Sequence, residues 1–357
     1  MNVLMISLAT GLLDQQELGD VVRRHQKYAK HVDRLDIYVL SKKRRAARVL
    51  ADNCVVRPLY WWNAFVFVVR GRYDLIVAQD PFFAGILGLL RRLFWRSPLL
   101  VHCHGDFFGA PFWKQERRLN ALLLPLGRFV LRCADAVRVV SEAVGQSVVA
   151  QGVTPSRVIV IPTPVDLSAY AGSYTPKAAP TATVVSVGRL VTAKDYPTLL
   201  RAAALVYVDV PTVHWEIVGD GPLAEPLRAA SQQQPYVAWR GHVAHDTLPS
   251  LYATADVVVL TSTNESFGMV LLEAGLVGRP VVATATAGAR EIVIGGTTGV
   301  LVPIGNAAAI AQAVSDLLTD HQRAVAMGKQ AHDHIVRTFD WQKNSDAVIA
   351  LWKRLVS

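Results

Sequence analysis

The most informative stretch of the chain reads DVVVLTSTNESFGMVLLEAGLVGRPVVATATAGAREIV and covers residues 256–293. Short apolar runs at 256–262 and 279–284 predict buried strands, and the segment between them has the pattern of a helix. Strands joined through a helix lie parallel in one sheet. The stretch therefore predicts one strand–helix–strand unit of a parallel sheet.

The same alternation of apolar runs and helical patterns extends in both directions from this unit. A Pro-bearing segment at 161–180 interrupts it and predicts a linker. The other predicted strands are 3–8, 36–40, 74–78, 98–103 and 136–140 before the linker, and 183–190, 214–221, 236–243 and 299–303 after it. This pattern predicts an α/β chain of two doubly wound, Rossmann-like domains, residues 1–168 and 181–338, with an interdomain cleft at the carboxyl ends of both sheets.

The composition excludes several classes of protein. The chain has 357 residues, of which 52% are hydrophobic and 18% are charged, so it can bury a core and is not disordered. No apolar segment is both long enough and free enough of Gly and Pro to cross a bilayer. The N-terminus has no signal-peptide pattern, and the three cysteines have no metal-ligand spacing. We therefore expect a cytoplasmic protein.

The net charge of +9 is concentrated in the first half of the chain. Residues 1–170 have 23 Lys and Arg against 13 Asp and Glu, whereas the remainder has 14 against 15. This asymmetry indicates either a surface that meets nucleic acid or anionic lipid, or a solvated basic surface. The aromatic and basic residues at 110–135, with the basic cluster at 42–45, suit peripheral attachment at the inner face of a membrane, and a core helix with a basic face is the alternative.

A polar loop and a helix with one glutamate each follow the strand at 256–262. Glu265 lies in the loop, and Glu273 follows with seven residues between them, about two turns into the helix. The two carboxylates can therefore reach different ends of one extended ligand. Gly268 allows close backbone approach at the helix start, where unpaired N–H groups form an anion site. Two solvated surface carboxylates are the alternative.

Two cations follow the first strand of the second domain, in SVGRLVTAKDYPTLL at 186–200. Arg189 comes directly after Gly188, and Lys194 lies five residues later, just before a predicted helix. Cations at a helix start oppose the helix dipole, which favours a ligand-binding role over ordinary surface charges. A guanidinium and an ammonium at a strand–helix turn suit a diphosphate.

These segments resemble the retaining glycosyltransferases of family 4, whose fold is called GT-B. The resemblance rests on G-R-L followed by Lys before a helix and on E-S-F-G followed by a second Glu, and it covers most of the chain. The segments at 217–223, 239–243, 288–291 and 299–303 are similar to the C-terminal domain of that family. Residues 339–357 resemble the C-terminal helix with which that fold crosses back to its N-terminal domain.

The resemblance implies a nucleotide-sugar donor site. Arg189 and Lys194 are then expected to hold the donor diphosphate. Glu265 is expected to bind hydroxyls of the donor sugar, and Glu273 the ribose hydroxyls. The other residues assigned to the donor pocket, mainly through their backbone, are Asp220, Gly221, Gly241, His242, Val243, Phe267, Gly268, Met269 and Val270.

The N-terminal half matches the family less fully. His104 follows the strand at 98–103 and matches a histidine that in the family faces the donor sugar, although a packed structural histidine is the alternative. Gly11 follows the first strand, where the family usually has two adjacent glycines. It is assigned to backbone contact with the diphosphate.

The resemblance implies transfer of a hexose or hexosamine from a UDP- or GDP-sugar to a glycan or lipid-linked acceptor, with retention, in cell-envelope polysaccharide or glycolipid synthesis. Catalytic roles fall to Glu265, His104, Lys194 and Arg189. No D-x-D triplet and no metal-ligand spacing occur in the sequence, so we expect no metal and no cofactor besides the donor substrate.

Three other functions are alternatives to this interpretation. One is a sugar-nucleotide epimerase or a phosphorylase on the same fold. Another is a basic nucleic-acid- or membrane-binding module, but the sequence has no nucleic-acid-binding motif, so we expect no nucleic-acid partner. A dinucleotide-dependent dehydrogenase is disfavoured because neither half has G-x-G-x-x-G after its first strand.

Overall fold

The chain divides into two compact units. The first consists of Met1–Asp166 and Phe339–Ser357, and the second of Leu167–Thr338. The computed structural model describes residues 1–8, 10–13, 21–63, 67, 71–105, 107–108, 118–265 and 267–357. Within those ranges, no helix is long and apolar enough to span a bilayer.

The first unit is built on one sheet. Its strands, within the described ranges, are β1 (Asn2–Ser7), β2 (Arg34–Leu40), β3 (Arg48–Ala51), β4 (Cys54–Leu59), β5 (Leu75–Ala78), β6 (Leu99–Cys103), β7 (Ala136–Val139) and β8 (Val158–Val160). The order in the sheet is β3-β4-β2-β1-β5-β6-β7-β8. All neighbours pair in parallel except β3 and β4, which are antiparallel. The α-helices between these strands, within the described ranges, are α1 (Val21–Ala29), α2 (Phe83–Trp95), α3 (Arg118–Cys133) and α4 (Glu142–Val149).

Side chains from β1 enter the core on both faces of this sheet. Leu4 and Ile6 belong to the apolar cluster on one face, and Val3 and Met5 to the cluster on the other. Side chains alternate along a strand, so a strand that is covered on both faces has a continuous apolar run. This is why the sequence predicts β1.

Three strands of the first unit escape the sequence patterns. β3 and β8 lie at the two edges of the sheet, and most of their residues are only half-buried. β4 includes Arg57 and Pro58, and proline has no N–H to donate to a neighbouring strand. The apolar run is interrupted in β4, and β3 and β8 are only four and three residues long.

The second unit contains a fully parallel sheet. Its strands are β9 (Thr183–Val187), β10 (His214–Val218), β11 (Val237–Gly241), β12 (Val257–Leu260), β13 (Val281–Thr284) and β14 (Gly299–Val302). The order is β11-β10-β9-β12-β13-β14. Each strand lies within an apolar run that the sequence analysis identifies. The helices are α5 (Tyr196–Asp209), α6 (Ala224–Ala230), α7 (Leu248–Thr254), α8 (Met269–Leu276), α9 (Ala287–Ile292), α10 (Ala307–Thr319) and α11 (His321–Thr338).

The last helix, α12 (Trp341–Val356), packs in the first unit. Val348 and Trp352 are fully buried in the same apolar cluster as Val3 of β1. The ring of Trp352 lies 5.1 Å from the ring of Tyr28 in α1. Truncation of a buried tryptophan costs about 3 to 5 kcal/mol, so this helix contributes strongly to the stability of the first unit.

The strand order reverses at the first strand of each unit. β9 lies between β10 and β12, and β1 lies between β2 and β5. Loops that leave the carboxyl ends of such a central pair run to opposite faces of the sheet and leave a crevice between them, which is where open α/β sheets bind ligands. The loops after β9 and β12, and after β1 and β5, therefore hold the candidate sites.

Candidate active site

The loops that follow β9 and β12 are bonded to each other. The backbone N–H of Thr263 donates to the carbonyl of Ala193, with a distance of 2.8 Å from N to O. The hydroxyl of Thr261 donates to the carbonyl of Lys194 at 2.7 Å. These bonds hold the backbone of Lys194 against the loop that contains Glu265.

Lys194 and Glu265 form an ion pair in this position. The ammonium donates to Oε2 of Glu265, and the Ser262 hydroxyl lies 3.3 Å from the same oxygen. The side chains of Lys194 and Glu265 are 20% and 16% exposed, so solvent screens the pair only in part. The structure thus brings together the two residues that the sequence analysis assigns to the diphosphate and to the donor sugar.

Arg189 differs from Lys194 in its surroundings. The Arg189 side chain is exposed, and it forms no ion pair with an acidic side chain among the described residues. The backbone beside it is fixed, because the N–H of Leu190 donates to the carbonyl of Asp220 at 2.9 Å. The guanidinium is therefore a solvent-facing cation on a fixed turn at the end of β9.

Two glycines allow the loop after β10 to lie against the loop after β9. A Cβ atom on Gly219 would come 1.9 Å from the carbonyl oxygen of Gly188, and one on Gly221 would come 2.5 Å from that of Leu190. Gly219 also has a φ of +136°, which side chains rarely tolerate. The exposed Asp220 between these glycines accepts from the N–H of Gly221 at 2.7 Å.

The start of α8 is uncapped by any side chain. Gly268 occupies the N-cap position with a φ of +92°, and the helix begins at Met269, two residues later than the sequence analysis predicts. The first N–H groups of a helix have no partners inside it, and glycine has no oxygen to offer them. Met269 is exposed, and Phe267 and Val270 are half-buried. This helix start carries the partial positive charge that suits an anion.

Gly288 of α9 supports the loop that precedes α8. Its N–H donates to the carbonyl of Glu265 at 2.9 Å, and a Cβ atom there would come 2.5 Å from the backbone nitrogen of Phe267. Any larger residue would push this loop away. Gly288 therefore sets the position of the Glu265 backbone.

Glu273 is nearly enclosed, with 5% of its surface exposed. Its Oε2 accepts from the hydroxyl of Tyr252 at 2.8 Å, and its Oε1 lies 3.5 Å from Nε2 of His245. Burial, followed by the charge of Glu273, raises the pKa of Tyr252 well above its ordinary value and also raises that of Tyr170. Tyr252 therefore stays protonated and donates to the carboxylate.

The sequence analysis does not find these neighbours of Glu273. Tyr252 lies in the apolar pattern of α7 and resembles any core tyrosine, and Tyr170 and His245 lie in segments without a motif. Only the packing of α7 against α8 brings the tyrosine hydroxyl to the carboxylate.

The end of β11 and the loop after it hold three residues that the sequence analysis assigns to the donor pocket, Gly241, His242 and Val243. Gly241 has a φ of +69°, and its carbonyl accepts from the N–H of Gly219 at 2.8 Å. That carbonyl is therefore already engaged. His242 is exposed and Val243 is half-buried.

In the first unit, a cavity of about 260 Å³ lies at the reversal of strand order. The cavity is lined by residues at or just after the ends of β1, β5 and β6, by the 3-10 turn after β1 and by α1. These residues are Ser7, Leu8, Leu12, Val21, Arg24, His25, Gln79, Asp80 and His104. Gly11 directly precedes the lining residue Leu12 in a short 3-10 turn, Thr10–Leu13, and is half-buried. The sequence analysis finds two residues of this region, His104 and Gly11.

His104 is held as a neutral imidazole. Its Nε2 lies 2.7 Å from Oε1 of Gln79. Burial, and after it the charges of Arg138 and Arg24, lower the pKa of His104 to about 3. The same causes lower the pKa of the buried His102 well below its ordinary value.

Asp80 is a buried carboxyl group that the sequence analysis misses. It accepts from the backbone N–H groups of Phe82 at 2.8 Å and Ala84 at 3.3 Å, before and within the first turn of α2. Burial nevertheless raises its pKa to about 6. A strand-end Asp-Pro before a helix has the pattern of an ordinary cap, which hides its place in the cavity wall.

The sequence analysis also predicts two segments for membrane attachment, the aromatic and basic residues at 110–135 and the basic cluster at 42–45. All of the aromatic and basic residues at 110–117, including Trp113 and Lys114, lie outside the described residues. Lys42, Lys43 and Arg44 of the basic cluster are exposed. Across the described ranges, no group of three or more His, Cys, Asp or Glu side chains is placed to hold a metal ion.

Comparison with known proteins supplies the family. Residues 13–169 match the family described as Glycosyltransferase Family 4, and residues 181–320 match the family described as Glycosyl transferases group 1. A D-inositol 3-phosphate glycosyltransferase of Kineococcus radiotolerans is 31% identical over 354 residues, which cover 81% of this chain and 80% of the relative. The chain belongs to the family 4 glycosyltransferases.

Other known proteins are similar to this chain either over a shorter aligned segment or only in fold. A GDP-mannose-dependent alpha-(1-6)-phosphatidylinositol monomannoside mannosyltransferase of Mycobacterium tuberculosis is 36% identical over 169 residues, which are 44% of each chain. This chain thus spans less than half the length of that relative in the alignment. The crystal structure of Anabaena HepE in complex with UDP superposes with a TM-score of 0.76 at 20% identity and covers 99% of this chain and all of that one. The fold is GT-B, as predicted.

Proposed function

We propose that the chain is a retaining glycosyltransferase that moves a hexose or hexosamine from a UDP- or GDP-sugar to a glycan or lipid-linked acceptor. The observation that carries the proposal is the arrangement at the reversal point of the second sheet. There Lys194, Arg189 and the start of α8 supply positive charge within two bonded loops, and Glu265 and Glu273 supply carboxylates. Cations suit a diphosphate, and carboxylates suit sugar and ribose hydroxyls.

The relatives support this substrate class. The Mycobacterium tuberculosis relative is named for GDP-mannose and a phosphatidylinositol glycolipid, and HepE was solved with UDP. We assign the chain to cell-envelope polysaccharide or glycolipid synthesis on that basis. We propose a cytoplasmic location at the inner face of the membrane, which fits the finding that no disulfide joins Cys54, Cys103 and Cys133.

Donor binding involves an exchange of partners at Lys194. Without ligand, its ammonium is paired with Glu265. A diphosphate brings more negative charge than one carboxylate and lies near the start of α8, so it competes well for the ammonium. Glu265 is then available to accept hydrogen bonds from hydroxyls of the donor sugar.

Departure of the nucleoside diphosphate increases negative charge on its terminal phosphate. Arg189, Lys194 and the N–H groups at the start of α8 stabilise that charge, an effect that typically contributes several kcal/mol. We therefore propose transfer without a metal ion. A neutral His104 donates one hydrogen bond and accepts another, which suits a sugar hydroxyl better than an ionic contact.

The test is a transfer assay with a panel of UDP- and GDP-sugars and lipid-linked and glycan acceptors, with EDTA present and absent. Lys194→Ala and Glu265→Ala are expected to lower transfer about 100-fold or more. Lys329→Ala is the matched control, because Lys329 also pairs with a carboxylate, Asp333, but on an exposed helix surface. Near-normal transfer by both site variants would contradict the proposed site, and turnover of the sugar nucleotide without acceptor would indicate an epimerase.

A further inference from the structure

Helices α2 and α3 pack side by side on one face of the first sheet. A Cβ atom on Gly85 would come 2.7 Å from Cγ1 of Val130, and one on Gly127 would come 2.6 Å from the ring of Phe82. Near the carboxyl ends, Arg92 donates to the carbonyl of Cys133. Helix α2 therefore packs closely against the second half of α3, and exposed side chains of both helices make up the outer face of this pair.

This outer face, which we call the α2–α3 face, is unusually apolar. Leu93, Phe94 and Phe129 are 73%, 59% and 57% exposed. Three further large apolar side chains of the two helices are also exposed, and they are Phe83, Leu90 and Leu126. The solvent side of a surface helix normally has polar residues, so a cluster of this size marks a surface that contacts an apolar partner.

The unpaired charges at the carboxyl ends of α2 and α3 are positive, because Asp135, the acidic residue that follows α3, forms an ion pair with Arg92. Neither helix contains an Asp or Glu residue. Arg96, Arg128 and Arg132 are exposed at the carboxyl ends of the two helices. Nε of Arg128 donates to Oε1 of Gln151 at 2.8 Å, and Nε of Arg132 donates to the backbone carbonyl of Gln151 at 2.7 Å. Neither oxygen carries a negative charge.

We propose that the α2–α3 face binds the surface of an anionic lipid bilayer. Leu93, Phe94 and Phe129 enter the boundary between headgroups and acyl chains, and the three arginines contact lipid phosphates. A second copy of this face is a poor occupant, because self-association would set one arginine cluster against another. The face belongs wholly to the first unit and does not depend on the donor site. That it serves a lipid-linked acceptor rests on the proposed function.

The experiment measures co-sedimentation of the full chain with vesicles of phosphatidylglycerol and phosphatidylcholine in equal parts, and with vesicles of phosphatidylcholine alone. We expect at least tenfold tighter binding to the anionic vesicles, weakened by added salt. Leu93→Ser combined with Phe129→Ser, and separately Arg96→Gln combined with Arg128→Gln, are each expected to reduce that binding at least tenfold.

Matched controls come from the second unit. Val208→Ser changes an exposed apolar residue, and Arg323→Gln an exposed arginine, without touching the α2–α3 face. Circular dichroism and thermal melting check that each variant is folded. Equal vesicle binding by wild type and the Leu93/Phe129 variant would overturn the proposal. So would a wild-type dimer that dissociates in that variant, because a second copy would then be the occupant.

Discussion

Two residues of the proposed donor site neutralise each other's charge. Lys194 and Glu265 lie 71 residues apart in sequence, yet their charges are paired. Lys194, which we propose binds a diphosphate, needs a counter-charge, since an isolated and partly buried ammonium is costly. Glu265 provides that charge, and this makes the pair a competitor of the ligand.

This competition leads to a prediction for Glu265→Gln. Removal of the counter-charge should tighten binding of the free nucleoside diphosphate about fivefold, because an ion pair of this kind contributes about 1 kcal/mol and 1.4 kcal/mol is a factor of ten. Transfer should fall sharply in the same variant. Isothermal titration calorimetry with UDP and GDP measures the first effect. Glu225→Gln, which removes an exposed partner of Arg228, is the control and should leave the affinity unchanged.

The buried pair of Tyr252 and Glu273 leads to a second prediction. Tyr252→Phe leaves the Glu273 carboxylate with one hydrogen bond fewer in a buried position, so the free energy of unfolding should fall by about 1 to 3 kcal/mol. If Glu273 binds ribose hydroxyls, its misplacement should also reduce the preference for nucleoside diphosphates over their 2′-deoxy forms. Urea denaturation and competition binding measure the two effects.

Tyr207→Phe serves as the matched control for this substitution. The Tyr207 side chain is exposed and stacks on Tyr236, away from Glu273. It should change neither quantity. An unaltered ratio of ribose to deoxyribose binding in Tyr252→Phe would show that Tyr252 stabilises the fold without positioning Glu273.

At the scale of elements, the loops of the second sheet depend on glycines that remove steric barriers. Gly219→Ala should destabilise the second unit by about 3 kcal/mol or more, since the new methyl group meets the carbonyl of Gly188 and the φ of +136° adds backbone strain. Gly296→Ala is the control, because Gly296 also has a positive φ, but no atom of the described residues lies within 4 Å of the place that a methyl group would take there. It should cost only about 1 kcal/mol.

Urea denaturation measures the free energy of unfolding of the two glycine variants. It distinguishes the cost of backbone strain at a positive φ from the cost of steric overlap between the new methyl group and its neighbours. Equal losses in Gly219→Ala and Gly296→Ala would mean that backbone strain alone matters. A larger loss at Gly219 would show that the close approach of the loops after β9 and β10 is required.

Element boundaries also show where sequence patterns are weak. The parallel strands β9, β10, β12 and β13 of the second unit are predicted because most of their residues are buried, whereas the edge hairpin of β3 and β4 is not predicted. The start of α8 is misplaced by two residues because Phe267 fits an apolar helical pattern, while the positive φ of Gly268 delays the helix. Backbone conformation at a glycine has no signature in the pattern of neighbouring side chains.

At the scale of the whole molecule, buried titratable groups link stability to pH. In an unfolded chain His104 takes up a proton near pH 6.5, whereas in the folded chain its pKa is about 3. The unfolded state therefore binds more protons between these values, and His104 lowers the free energy of unfolding as the pH falls from 6.5. Asp80 acts in the opposite direction, because its pKa rises from 3.8 to about 6 on folding.

Two variants test this linkage. Between pH 7 and pH 4.5, His104→Gln should lose less stability than wild type, and Asp80→Asn should lose more, by up to about 1.4 kcal/mol for each pH unit over which the group titrates. Urea denaturation at several pH values measures both, and His31→Gln, an exposed histidine of the same unit, is the control. Parallel pH profiles for all four proteins would contradict the inferred burial of His104 and Asp80.

Local patterns in the chain are enough to predict the α/β class, the two Rossmann-like halves and the segments with Arg189, Lys194, Glu265 and Glu273. A strand that is buried on both faces appears as a run of apolar residues, and a turn before a helix appears as a local cluster of turn-forming residues. Both patterns involve residues adjacent in sequence, so they can be recognised in the sequence alone. The order of the strands, the Lys194–Glu265 pair, the tyrosine on Glu273 and the α2–α3 face have no such signature. They arise from contacts between distant segments and from which helix surfaces remain uncovered, and packing alone sets both.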